Sequence, residues 1–270
     1  MLIFLPGFFG GVLQNKENFG TLCFVFFFFS ITASMVYVFN DLLDIEKDKL
    51  HPDKKKRPLA SGAISKRKGI IIFIVMLLTL IGTSYFFKLN VLVVTFIYFA
   101  INVMYTIKLK EIPILELFIV ASGFVFRILI GGTAIDVEPS KWILMLTFFS
   151  ALYIVISKRR GELFNNEIMT SRVVLKHYSL EFLNLAMALL VTISIMSYIM
   201  YTVEPIVISR FSTDKIYLTS FIVIFILLRH LQQSLVYNNT ESPVAYFFKD
   251  KANFIAIVVW LITFYILIYI

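Results

Sequence analysis

Cysteine occurs once in these 270 residues, at Cys23 inside an apolar run, which excludes a disulfide framework and a cysteine-based metal site. Charge is scarce as well, at 16% of residues. No Pro-rich or Gly/Ser linker and no low-complexity tail marks a domain boundary, so residues 1–270 read as one domain. The opening stretch MLIFLPGFFGGVL has neither a basic leader nor a small-residue cleavage site, and no cleavable signal peptide is expected.

What is abundant is apolar surface. Hydrophobic residues make up 59% of the chain, 29 of them phenylalanine, and the mean hydropathy is +0.87, more than a soluble domain of this size can bury. The bilayer is therefore the expected solvent. Apolar runs separated by short charged breaks give an all-α integral membrane bundle of about nine helices, near 1–14, 18–40, 69–88, 90–107, 112–135, 141–164, 180–203, 214–237 and 252–270.

A net charge of +8 would suggest nucleic acid for a soluble protein. Here the basic residues lie in connections, and nineteen of the 25 Lys and Arg fall in segments 40–68, 108–110, 158–176 and 229–251. Positive residues accumulate on the cytoplasmic side of membrane proteins, so these segments and the N-terminus are expected inside and no nucleic acid is expected as partner. Both long polar connections then face the cytoplasm, where phosphorylated solutes and magnesium are available.

The first of them opens with F-N-D-L-L-D-I-E-K-D while the second apolar run is still in progress. If that helix continues, Asn40, Asp41, Asp44 and Asp48 share an arc of about 100°. Carboxylates at a membrane boundary are costly without a positive partner, and hard oxygen ligands at this spacing suit Mg²⁺ that retains waters and bridges to a substrate's phosphates. Lys54, Lys55, Lys56 and Arg57 follow directly and offer phosphate contacts, or else a basic topological anchor.

A second constellation, S-K-R-R-G-E-L-F-N-N-E, ends the sixth apolar run. Helical spacing puts Lys158, Arg159, Glu162, Asn165 and Asn166 within an arc of about 120°, with Glu167 opposite. This face offers cations for further anionic groups and one carboxylate, or a positive-inside anchor. Arg127 stands well inside the fifth run, where a guanidinium needs a phosphate, a carboxylate or backbone carbonyls as partner. Gly131 and Gly132 nearby permit close helix packing.

N-D-x-x-D-x-x-x-D at the end of the second helix, followed by R-P-L-A-S-G, resembles the first aspartate motif of the UbiA-type intramembrane prenyltransferase superfamily. The resemblance implies a nine-helix bundle with cytoplasmic active-site loops, Asn40, Asp41, Asp44 and Asp48 as ligands of Mg²⁺ and diphosphate, and Asp41, Asp44 and Glu162 in the chemistry. Most such proteins carry a second motif with two aspartates four apart. Here Glu162 and amides stand instead. K-R-x-x-E-L, H-P-x-K-x-x-R-P-x-A-S-G and Y-x-x-x-L-K-E-I-P-I-L-E-L resemble the decaprenyl-phosphate phosphoribosyltransferase branch.

That branch implies 5-phosphoribosyl diphosphate as donor and a polyprenyl phosphate as acceptor, in a bacterial or archaeal plasma membrane serving cell-envelope synthesis. Lys54, Arg57, Tyr105, Lys110, Arg127, Lys158 and Arg159 are then the expected substrate contacts, Tyr105 alternatively serving as an interfacial aromatic. The alternative reaction is prenyl transfer from a polyprenyl diphosphate to an aromatic or quinone-precursor acceptor. A transporter would need polar residues strung across the bilayer core, and apart from Arg127 the runs offer few.

Overall fold

The computed structural model describes residues 1–51, 54–164, 173–238 and 243–269, and every regular element among them is helical. In chain order the α-helices are α1 (Leu5–Phe9), α2 (Lys16–Leu43), α3 (Ile45–Lys49), α4 (Lys66–Ser84), α5 (Leu89–Ile107) and α6 (Leu115–Ala134), then α7 (Lys141–Glu162), α8 (Leu180–Thr202), α9 (Pro205–Phe211), α10 (Ser220–Leu235), α11 (Pro243–Lys249) and α12 (Lys251–Tyr269). Polar caps start four of the long ones, α2, α4, α7 and α8. Asn15 Oδ1 accepts from the Glu17 and Asn18 amides, Ser65 Oγ from Lys68, Ser140 Oγ from Trp142 and Ser179 Oγ from Phe182.

Eight of the described helices are long and apolar enough to cross a membrane, rather than about nine. Residues 1–14, expected as a crossing helix, form a 3₁₀ turn at Leu2–Phe4 and the five-residue α1, which spans only about 7.5 Å. Gly11, at φ +70°, supplies the left-handed backbone that ends this segment. On the crossing helices Phe27, Leu78, Phe96, Leu185 and Phe221 are all more than half exposed. Such surfaces are stable against lipid, and the chain is a multi-pass membrane protein.

The helices form two compact units. The first comprises Met1–Glu138 with the described residues of Asn165–Lys176. In it α2 packs against α4 and α5, and α5 against α6. Its core joins Leu22, Val25, Phe29, Val91, Tyr98 and Ile130. The 3₁₀ turn at Leu2–Phe4 lies on α6, with Gly131 directly beneath the Ile3 backbone. Gly7 and Gly10 lie near Ile135 and Val137, just past the end of α6. Since α6 runs for about 30 Å, residues 2–10 sit at the opposite end of this unit from the residues preceding Leu115. They are therefore at the other end from the segment after α2, with which the N-terminus was expected to share a membrane face.

The second unit comprises Pro139–Phe164 and His177–Ile270, with α7 and α8 as its main packed pair and α10 against α8 and α12. Polar pairs occur in its interior. Tyr153 Oη and His230 Nδ1 are 2.6 Å apart, the Ser157 and Ser234 hydroxyls 3.2 Å apart, and Tyr198 Oη lies 2.7 Å from Thr219 Oγ1 and accepts from Trp260 Nε1 at 2.8 Å. In a medium without water, such pairing is how a polar side chain is accommodated.

Candidate active site

The end of α2 carries the first constellation. The helix does not run through it. Asp44, at φ −98° and ψ 11°, caps α2, and α3 restarts at Ile45. The i→i−4 hydrogen bonds nevertheless persist across the break, from Asp44 N to Asn40 O at 2.9 Å and from Asp48 N to Asp44 O at 2.8 Å. Asp41 and Asp48 consequently remain on one side and meet a single side chain.

That side chain is Arg57. Its Nη1 donates to Asp41 Oδ1 at 2.7 Å and to Asp48 Oδ2 at 2.9 Å, and Lys54 Nζ lies 3.8 Å from Asp48 Oδ1. The backbone after α3 explains how these cations come back over the carboxylates. Arg57 N donates to Lys54 O and Ser61 N to Arg57 O, Ile64 N reaches Pro58 O, and Gly62 turns the chain at φ +81°. A residue with a Cβ adopts that angle only with strain, which gives R-P-L-A-S-G its glycine. Pro52 and Asp53 lie outside the described residues.

Asp44 faces another connection. Lys110 Nζ sits 2.5 Å from Asp44 Oδ2, and both side chains are largely covered. Lys110 belongs to a 3₁₀ turn, Leu109–Glu111, followed by Ile114 at φ 67° and ψ −49°, where Leu115 N donates to Pro113 O at 2.7 Å. This γ-turn geometry in a β-branched residue stores about 1–3 kcal/mol of strain next to the lysine. Tyr105 lies half-buried in the last turns of α5, and Lys108 is exposed.

Hard oxygens of this kind fit Mg²⁺. Among the described residues no three acidic, His or Cys side chains converge to enclose an ion by themselves. Mg²⁺ is ordinarily held by one or two carboxylates, with waters and substrate phosphates completing the octahedron, and Asp41 and Asp44 at the end of α2 match that demand.

Arg127 is boxed in by rings. Its guanidinium carbon lies 5.2 Å from the Phe29 ring, 5.5 Å from Phe124 and 5.9 Å from Tyr98, while Nη1 donates to Gly123 O at 2.6 Å. Three π-faces and a carbonyl satisfy a cation that hydrocarbon would not.

In the second unit, Arg159 Nη1 pairs with Glu162 Oε2 at 2.8 Å, one helical turn apart and both nearly covered. Lys158 is exposed on α7. Asn165, Asn166 and Glu167 lie outside the described residues. The residue that sequence reasoning passed over is Arg160, which reaches Asn184 Oδ1 through Nε at 2.7 Å, Ser234 O through Nη1 at 2.8 Å and Asn238 Oδ1 through Nη2 at 3.0 Å. Its one signal was Asn184, an isolated amide in an otherwise apolar run; the Ser234 backbone carbonyl and Asn238, in a polar connection, gave none. Arg229 was missed in the same way. It grips Asp250 with Nε and Nη2 at 3.1 and 2.9 Å, and Gln233 adds a third bond at 3.0 Å.

Known proteins resemble this chain in sequence and in fold. A model of the UbiA prenyltransferase family matches residues 3–248. Over 198 residues the chain is 30% identical to decaprenyl-phosphate phosphoribosyltransferase of Mycobacterium tuberculosis, covering 72% of this chain and 66% of that protein. It is 28% identical over 204 residues to the protein of that name in Corynebacterium glutamicum, covering 74% and 60%. The chain thus spans 66% and 60% of the length of these two relatives. A UbiA homologue from Archaeoglobus fulgidus, solved bound to DMAPP and Mg²⁺, superposes with a TM-score of 0.70 over 100% of this chain and 96% of that one at 16% identity, a likeness of fold. With the family's model covering nearly its whole length, the chain belongs to the UbiA prenyltransferase family.

Proposed function

We propose that this protein is a membrane-bound transferase that moves 5-phosphoribose from 5-phosphoribosyl diphosphate to a polyprenyl phosphate and releases diphosphate. The observation that carries the reading is the set of cations drawn onto the first motif: Arg57 and Lys54 at Asp41 and Asp48, and Lys110 at Asp44. A donor with a diphosphate and a 5-phosphate, meeting a lipid phosphate, needs cations in this number, whereas a neutral aromatic acceptor does not. The names of the mycobacterial and corynebacterial relatives support a phosphoribosyl group as what is transferred and a polyprenyl phosphate as acceptor.

On this reading Asp41 and Asp44, with Asn40 orienting and Asp48 behind them, hold Mg²⁺ at the cytoplasmic mouth. The ion would neutralise the leaving diphosphate. Arg57, Lys54 and Lys110 bind phosphate oxygens, and Tyr105 lines the approach to Lys110. Lys158 and Arg159 take a further anionic group, with Glu162 fixing Arg159. The structure around Arg127 supports an anchoring role for it.

An oxygen of the lipid phosphate forms a bond to the anomeric carbon as the bond from that carbon to the diphosphate oxygen breaks. The nucleophile is already anionic near neutral pH, so no strong base is required. Catalysis then rests on positioning and charge neutralisation.

Incubating the purified protein with labelled 5-phosphoribosyl diphosphate and a polyprenyl phosphate, with and without Mg²⁺, tests this directly. Label is expected in the lipid fraction only when Mg²⁺ is present. Label that stays in the aqueous fraction, while a polyprenyl diphosphate prenylates an aromatic acid, overturns the reading in favour of prenyl transfer.

A further inference from the structure

Arg57 touches both Asp41 and Asp48 through a single nitrogen, Nη1. A guanidinium carries five N–H donors, and among the described residues the Nε and Nη2 groups of Arg57 make no hydrogen bond. The two carboxylates differ in their surroundings. The Asp48 side chain is 4% exposed and also lies against Lys54, whereas Asp41 is 21% exposed and Arg57 36% exposed. Asp48 is thus the covered floor of the pair, and Asp41 and the remaining guanidinium edge face outward.

A cation already on Asp41 opposes the approach of a second, more highly charged one to the same carboxylate. A diphosphate reverses the balance, because it offers a bidentate, doubly anionic acceptor to the unused N–H groups.

We propose that Arg57 is the residue that couples divalent-cation binding to diphosphate binding. Without ligand it is the counter-ion of Asp41 and Asp48. When diphosphate arrives, its guanidinium turns to the phosphate oxygens while staying on the Asp48 floor, and the Asp41 carboxylate is released to the cation. This rests on the reading of Asp41 as a cation ligand in the proposed function. Occupation of one site then favours the other by the same factor in both directions.

The test is binding rather than turnover. Mn²⁺ is titrated into the detergent-purified full chain and followed by electron paramagnetic resonance, without diphosphate, for the wild type, Arg57→Gln and Arg57→Lys. Inorganic diphosphate is then titrated at saturating Mn²⁺. In Arg57→Gln, Mn²⁺ alone is expected to bind about five- to tenfold more tightly and diphosphate about tenfold more weakly. Arg57→Lys, which keeps the charge, is expected to hold Mn²⁺ at the wild-type level and regain part of the diphosphate affinity.

A purely structural role would weaken both ligands together. If the wild type binds both while Arg57→Gln binds Mn²⁺ no more tightly than the wild type, the coupling is overturned and the proposed function stands. If the wild type binds neither ligand, both fall.

Discussion

Lys110 Nζ lies 2.5 Å from Asp44 Oδ2, joining the connection between α5 and α6 to the break between α2 and α3 across 66 positions of sequence. Two segments that are each short and irregular are thereby fixed to one another. Lys110→Ala is expected to raise the KM for the diphosphate-bearing donor about tenfold, corresponding to about 1.4 kcal/mol, with a smaller effect on kcat. Steady-state kinetics over a donor series checks this, and an unchanged KM would exclude Lys110 from donor binding.

Asp41→Asn keeps the shape of the side chain and removes its charge. Turnover is expected to fall at least about a hundredfold at ordinary Mg²⁺ and to recover partly as Mg²⁺ is raised. Magnesium titration of the rate distinguishes this from general damage, because a destabilised fold would not be rescued by the ion.

Arg160 behaves differently in this account. Its three acceptors on Asn184, Ser234 and Asn238 tie α7 to α8 and to the end of α10. Truncation to Ala strands the buried Ser234 carbonyl and removes the ties to Asn184 and Asn238, and is expected to lower stability by about 1–3 kcal/mol, read as a drop in the unfolding midpoint in detergent. If Arg160→Ala unfolds like the wild type, the network is not structural.

Gly131 tests the packing of the N-terminal turn. A Cβ there would stand 2.0 Å from the Ile3 carbonyl oxygen, whereas one at Gly82 meets nothing within 4 Å. Gly131→Ala is expected to destabilise by about 1–3 kcal/mol, and Gly82→Ala to be neutral or stabilising by up to about 1 kcal/mol. Paired thermal denaturation curves compare them.

Hydrogen bonds from Arg229 hold the Asp250 carboxyl below the usual carboxylate range, despite an opposing push from partial burial. A group whose folded pKa is depressed contributes stability above its unfolded value, near 3.9, and loses it as pH falls through the folded pKa. The midpoint difference between wild type and Asp250→Asn is therefore expected to be full at pH 7 and to shrink below about pH 4.

Composition and run length alone determined that this is a helical membrane protein, because hydrocarbon leaves the backbone few other ways to satisfy its hydrogen bonds. The run after Lys16 was legible for the same reason, and so was the shared side of Asp41 and Asp48, whose spacing is that of one helix. Even there the break at Asp44 was invisible, since local hydrogen bonding continues across it. The fate of residues 1–14 was not legible either, because a short apolar run looks alike whether it crosses a membrane or folds back on α6.

Only the tertiary structure decided which cation meets which carboxylate. Nothing in the run Lys54–Arg57 singles out Arg57 as the bridge between Asp41 and Asp48, and nothing near Lys110 points 66 residues back to Asp44. It likewise gave Arg127 a box of rings and turned Arg160, one position from the residue the helical arc selected, into a structural tie. Those pairings depend on where loops return after chain reversal, and helical periodicity carries no information across a turn.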